Sequence, residues 1–106
     1  MPKYLVKASY TLQGVKGVAS EGGSSRRDSV KKAIESLGGS MEAFYFAFGD
    51  TDVYVISDLP DNQAATSLAL ATNGSGAVNV QTIPLLTPED VDAAAKKSVE
   101  FRPAGG

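Results

Sequence analysis

Tyr45, Asp50, Asp52 and Tyr54 crowd around the tripeptide Gly49-Asp50-Thr51. A carboxylate beside two phenols supports one kind of chemistry. The acid takes up a proton or anchors a polar ligand, and the phenols donate hydrogen bonds to the same molecule. Partial burial would raise the carboxyl pKa and suit it to general base work. The competing reading is local, because an aspartate that opens a strand after a turn commonly accepts from backbone N–H groups. Strand tyrosines, likewise, pack in cores or interfaces with the hydroxyl tied to a partner. Asp50 reads as a plain turn residue. On the functional reading Asp52 is the catalytic candidate, and Tyr45 and Tyr54 are ligand-binding walls. Arg26, one of two adjacent arginines at the start of a helix, joins them as the group that attracts an anion. A cation there opposes the helix dipole and needs an acidic partner or ligand, unless it is simply solvated.

Much other chemistry is closed to this chain. It has no cysteine and no histidine, which removes disulfides, thiolate nucleophiles, Cys/His zinc sites and imidazole-based triads. No cofactor and no metal are expected. Asp50 and Asp52 are split from Asp58 and Asp61 by the length of a strand, roughly 20 Å at about 3.3 Å per residue, too far for one cage. The Gly22-Gly-Ser-Ser stretch before a helix lacks the glycine spacings of nucleotide-binding loops. A net charge of -2 from ten basic and twelve acidic residues offers no basic stripe for nucleic acid. No apolar run approaches a membrane span and the N-terminus has no leader pattern, so the expectation is a cytoplasmic protein with no membrane partner.

The elements that must position these residues follow from periodicity. Lys3 to Tyr10 alternates as a strand with Tyr4, Val6, Ala8 and Tyr10 on its more apolar face. Thr11 to Ser24, with four glycines and no sustained period, reads as a long loop. Ser25 and Asp28 resemble a capping box, and Val30, Ala33, Ile34 and Leu37 form one helical stripe ended by Gly38-Gly39. Ser40 to Phe48 alternates aromatic and small residues with neither face polar, so the strand is expected to be covered on both sides. A tight turn at Gly49-Asp50-Thr51 leads into a strand from Asp52 to Asp58. Asp58-Leu-Pro-Asp61 starts an Ala-rich helix whose stripe is Ala64, Ala65, Leu68, Ala69 and Thr72. Val78 to Leu85 is a fourth strand, which Pro84 confines to an edge or an end. Thr87-Pro-Glu-Asp90 caps a short C-terminal helix with Val91, Ala94 and Ala95 turned inward, followed by a tail from Phe101 to Gly106.

The order is β-α-β-β-α-β plus a C-terminal helix in a single domain spanning 1–106. It is the α+β, ferredoxin-like arrangement of an antiparallel four-stranded sheet with its main helices on one face. An open sheet face and a doubly apolar strand point to a homodimer, or higher oligomer, formed sheet on sheet. Phe101 and Arg102 could anchor the tail on a neighbour.

Leu37-Gly-Gly-Ser-Met-Glu-Ala-Phe-Tyr-Phe-Ala-Phe-Gly-Asp-Thr-Asp-Val-Tyr-Val-Ile, then Leu59-Pro-Asp61 and a Gly-rich turn into Val78-Asn-Val-Gln-Thr, resembles the GYD domain family. Gln13-Gly14 and Arg26 sit where that family carries similar residues. The family's Gly, Tyr, Asp cluster is matched at Gly49 and Asp52, while Thr51 takes the place of the tyrosine. The resemblance implies a dimeric α+β barrel in which small ligands bind between sheet and helices. That fold hosts cofactor-free oxygenases, isomerases, haem enzymes and proteins of unknown role, so it decides no activity. Two functions are carried forward. One is a homo-oligomeric small-molecule-binding protein or cofactor-free enzyme. The other is a non-catalytic structural or regulatory oligomerisation module.

Overall fold

The computed structural model describes residues 1–106. Four strands, β1 (Lys3–Tyr10), β2 (Ser40–Phe46), β3 (Val53–Asp58) and β4 (Val78–Leu85), form one antiparallel sheet in the order β2-β3-β1-β4. This is the ferredoxin-like order expected from the sequence. Every second residue of β1 (Tyr4, Val6, Ala8) is buried, as a strand packed on one face requires. They meet Val53 and Val55 of β3 and Val78 of β4 in one core cluster.

The cluster is closed from a single side by the helices α2 (Gly23–Ser36) and α3 (Asn62–Gly74), through Ile34, Ala65 and Leu68. Asp61 caps α3 by accepting a hydrogen bond from the Ala64 N–H at 2.8 Å, worth about 1 kcal/mol. The Tyr4 hydroxyl donates to Asn62 Oδ1 at 2.6 Å, which ties the first turn of α3 to the central strand. Pro84 lies in β4 at the sheet edge, where its missing N–H costs no ladder bond.

Four details depart from the sequence expectations. Leu12–Glu21 is a helix, α1, and not a loop. Thr11 caps it by accepting from the Gly14 N–H at 3.3 Å. Gly14 lets it dock, since a Cβ there would stand 2.0 Å from the Ala77 carbonyl oxygen. The start of α2 is Gly22 without any side-chain cap, so the Ser25 and Asp28 box does not form. The link between β2 and β3 is wider than a tight turn: β2 ends at Phe46, β3 begins at Val53, and the Ala47 N–H donates to the Asp52 carbonyl at 2.8 Å.

The fourth concerns α4 (Pro88–Ala95), whose N-terminus carries the expected capping box between Thr87 and Asp90. Val91, Ala94 and Ala95 are all exposed, because the chain leaves the sheet edge after Leu85 and α4 buries none of its residues. The excursion shows in the dimensions. The radius of gyration is 16.9 Å, against about 13 Å for a compact domain of this size. Similarly, β2 is covered on one side only within the single chain.

Candidate functional site

Between the sheet and the two main helices lies a chamber of about 50 Å³, several times the ~10–15 Å³ that one water needs on the same measure. Its floor is the helix-facing side of the sheet (Val6, Ala8, Phe44, Val53, Val55, Val80), and its roof is Val30 and Ile34 of α2 with Leu68 and Ala69 of α3. Tyr10, Arg26, Thr72 and Thr82 supply its polar groups, and Arg26 is the one charge on its wall. These aliphatic positions are the same ones that form the core. The chamber is therefore a gap in the packing between the sheet, α2 and the Ala-rich stripe of α3.

A second and larger space of about 460 Å³ opens beside the chamber. Gln13, Gly14, Gly17, Val18 and Glu21 of α1 form one wall, and Ala71, Thr72 and Ser75 at the end of α3 form the other. Tyr10, Arg26, Leu68, Thr72 and Val78 line both spaces, so these residues form the partition between them. The helix that the sequence hid supplies a wall of this cleft.

Electrostatics at the partition centre on Tyr10 and Arg26. Burial pushes the Tyr10 phenol above its ordinary value of 10.0, the adjacent Arg26 charge and hydrogen bonding pull against that, and Asp52 and Glu21 add a smaller push upward. The phenol is accordingly protonated at neutral pH and available as a donor. Thr72 is already committed, its hydroxyl donating to the Leu68 and Ala69 carbonyls at 2.8 and 3.2 Å. Arg26 faces Glu21 at 3.9 Å, the long limit of an ion pair, while Arg27 turns outward to Asp28 at 3.2 Å.

The residues singled out in the sequence are not all brought together. Arg26 borders the chamber. Asp52 lies close by, but its carboxylate accepts from the Tyr10 backbone N–H at 2.8 Å, and Asp52 does not line the cavity. Tyr45 and Tyr54 are cross-strand partners on the opposite face of the sheet, 71% and 39% exposed. The alternation explains this: Phe44, Val53 and Val55 point to the helices, so their neighbours point away. Asp50 sits in the β2–β3 connection, where its carbonyl accepts from the Ser9 hydroxyl. No cluster of three acidic side chains that could hold a metal ion is formed.

A model of the GYD domain matches residues 4–95, a span that takes in the whole sheet, α1, α2, α3 and the capped α4. The chain belongs to the GYD domain family. No curated protein matches it, and the family itself carries no established reaction. Within this GYD domain, Thr51 is buried at 8% exposure directly before Asp52. Thr51, within the β2–β3 connection, is thus a packed position in this chain. No helix of the chain is long and apolar enough to cross a membrane.

Tyr10 is the chamber-lining residue that sequence reasoning assigned to packing. It ends β1, where alternation gives it the same standing as Tyr4. Only its place beside the Thr11 cap, at the mouth between two helices, could have marked it.

Proposed function

We propose that this GYD domain is a homodimeric small-molecule-binding protein that holds its ligand in the chamber between sheet and helices. The observation that carries the reading is the apolar chamber bordered by a single arginine and adjoining an outer cleft. Binding sites are typically concave and mostly apolar, with few polar groups that fix orientation. No carboxylate borders the chamber, and Asp52 is engaged by the backbone of Tyr10. The reading therefore favours binding over proton abstraction by Asp52. A thermal-shift screen of small aromatic and carboxylic compounds tests it. Stabilisation by at least one compound is expected, and a screen in which none raises the melting temperature removes the reading.

The dimer half of the proposal draws on the other sheet face. Across all four strands Ala43, Ile56, Leu5 and Ile83 stand side by side in register, with Tyr45 and Tyr54 in the adjacent row. Such a band is well suited to self-pairing about a two-fold axis, with sheets about 10 Å apart. Val99 and Phe101 beyond α4, 79% and 78% exposed, would add a second contact. An eight-residue helix has little stability of its own in water, so docking α4 on the neighbouring subunit would account for it. Sedimentation at tens of micromolar should give a dimer, and Ile56→Lys should give a monomer that keeps its helical content. A wild-type monomer under those conditions refutes the assembly.

A further inference from the structure

We propose that the ligand is a monocarboxylic acid with a compact apolar body, its carboxylate held at the Arg26 and Tyr10 partition and its body in the inner chamber. The inference deepens the small-molecule reading above and rests on it.

Charge sets the ligand's sign and valence. Arg26 is the one cation on the wall of either space, and no lysine lines the chamber or the cleft. A phosphate or a dicarboxylate would bring a second negative charge with nothing to meet it, and partial burial makes an unmet charge costly. A carboxylate, by contrast, matches the planar guanidinium fork in both charge and geometry. A neutral ligand would leave Arg26 with the Tyr10 phenol and, as its one anionic partner, Glu21 at 3.9 Å.

Position sets the arrangement. Because Arg26 and Tyr10 line both spaces, a head group between them leaves the rest of the molecule one of two directions. The inner direction is walled by Ile34, Val55 and Leu68, which offer no hydrogen bond, so it takes the apolar part. The Tyr10 phenol, protonated at neutral pH as an ordinary tyrosine is, donates to a carboxylate oxygen and has no comparable role toward a cation. Size follows from the chamber of about 50 Å³, well under the ~150 Å³ of a cavity that binds benzene, so it suits a branched alkyl group, takes a single ring only as the side chains around it yield, and excludes a long chain.

Phenylacetate and phenylacetamide share one apolar body and differ in charge, so amide NMR titration with both, at about pH 7 where the acid is ionised, separates the two claims. Phenylacetate should shift the amides of Val30, Ile34 and Leu68, with phenylacetamide weaker by roughly tenfold or more. Arg26→Gln should erase that difference. Arg26→Lys, which keeps the charge without the fork, should retain part of it and guards against a folding defect in the first variant. Equal affinities for the two probes would overturn the carboxylate assignment while leaving the chamber as a binding site. Shifts confined to residues away from the chamber, or no shifts from either probe, would overturn both readings.

Discussion

The Asp52 carboxylate accepts a hydrogen bond from the Tyr10 backbone N–H at 2.8 Å, joining the entry of β3 to the exit of β1. The Asp52 backbone adds two more ties, its N–H to the Ala8 carbonyl at 2.8 Å and its carbonyl to the Ala47 N–H at 2.8 Å. Asp52 thus holds Tyr10 at the chamber without lining it. Asp52→Ala should cost about 1.5–3 kcal/mol, the range for a lost hydrogen bond to a charged group. In a domain near this size that lowers the melting temperature by about 4–8 °C per kcal/mol. Asp52→Asn, which keeps an acceptor oxygen, should cost less. Calorimetry of the two variants checks the order, and equal effects would deny the hydrogen bond its role.

Two glycines of α1 should respond in opposite directions. A Cβ on Gly14 would meet the Ala77 carbonyl oxygen at 2.0 Å and the Tyr10 ring at 2.8 Å, whereas one on Gly17 meets nothing within 4 Å. Gly14→Ala should therefore push α1 off the body, with a loss of about 1–3 kcal/mol typical of overpacking. Gly17→Ala should gain about 0.5–1 kcal/mol from helix propensity. Denaturant midpoints of both variants provide the check, and a stable Gly14→Ala protein would contradict the docking of α1.

Ser57 is 0% exposed and its Oγ has no hydrogen-bond partner. A buried hydroxyl without a partner is a net cost, so Ser57→Ala should be neutral or stabilising by about 1 kcal/mol. A clear loss of stability in chemical unfolding would reveal a hydrogen bond that the packing does not show.

Alkaline pH offers a direct view of Tyr10. Its folded pKa is raised above 10.0, so the folded state keeps the proton longer than the unfolded chain does. Stability from this source is fully present below pH 10.0 and is lost as pH rises through the folded value. Lys3, raised above 10.5 by its hydrogen bonds to Glu42 and Asp58, acts in the same direction. Tyr10→Phe should therefore flatten the alkaline limb of an unfolding-against-pH curve in part, leaving the Lys3 share in place. An unchanged limb would show that the phenol titrates as it does in the unfolded chain.

Most of the fold was legible because local signals and packing agree. The β1 alternation, the α2 stripe from Val30 to Leu37 and the Thr87 capping box each point to the state that forms. The first helix was not legible because its glycines, each costing about 1 kcal/mol in a helix, argue against it locally. What they allow is a close approach to Ala77, a contact distant in sequence. The site divided in the same way. Periodicity placed Tyr54 opposite Val53 and Val55, but it does not say which side receives the helices, and that decides whether Tyr45 and Tyr54 meet the chamber. Tyr10 acquires its place only when α1 and α2 close over the end of β1.

The strand order β2-β3-β1-β4 also imposes a schedule on synthesis. Of the four strands, β1 leaves the ribosome first, yet it sits between β3 and β4, and its second neighbour is complete only at Leu85. Until then its Tyr4, Val6 and Ala8 have no finished sheet to join. Pairings this distant in sequence form slowly, and a strand that waits with an open edge is exposed to other chains. Newly made chains of this protein are therefore most vulnerable to aggregation in the interval before β4 emerges.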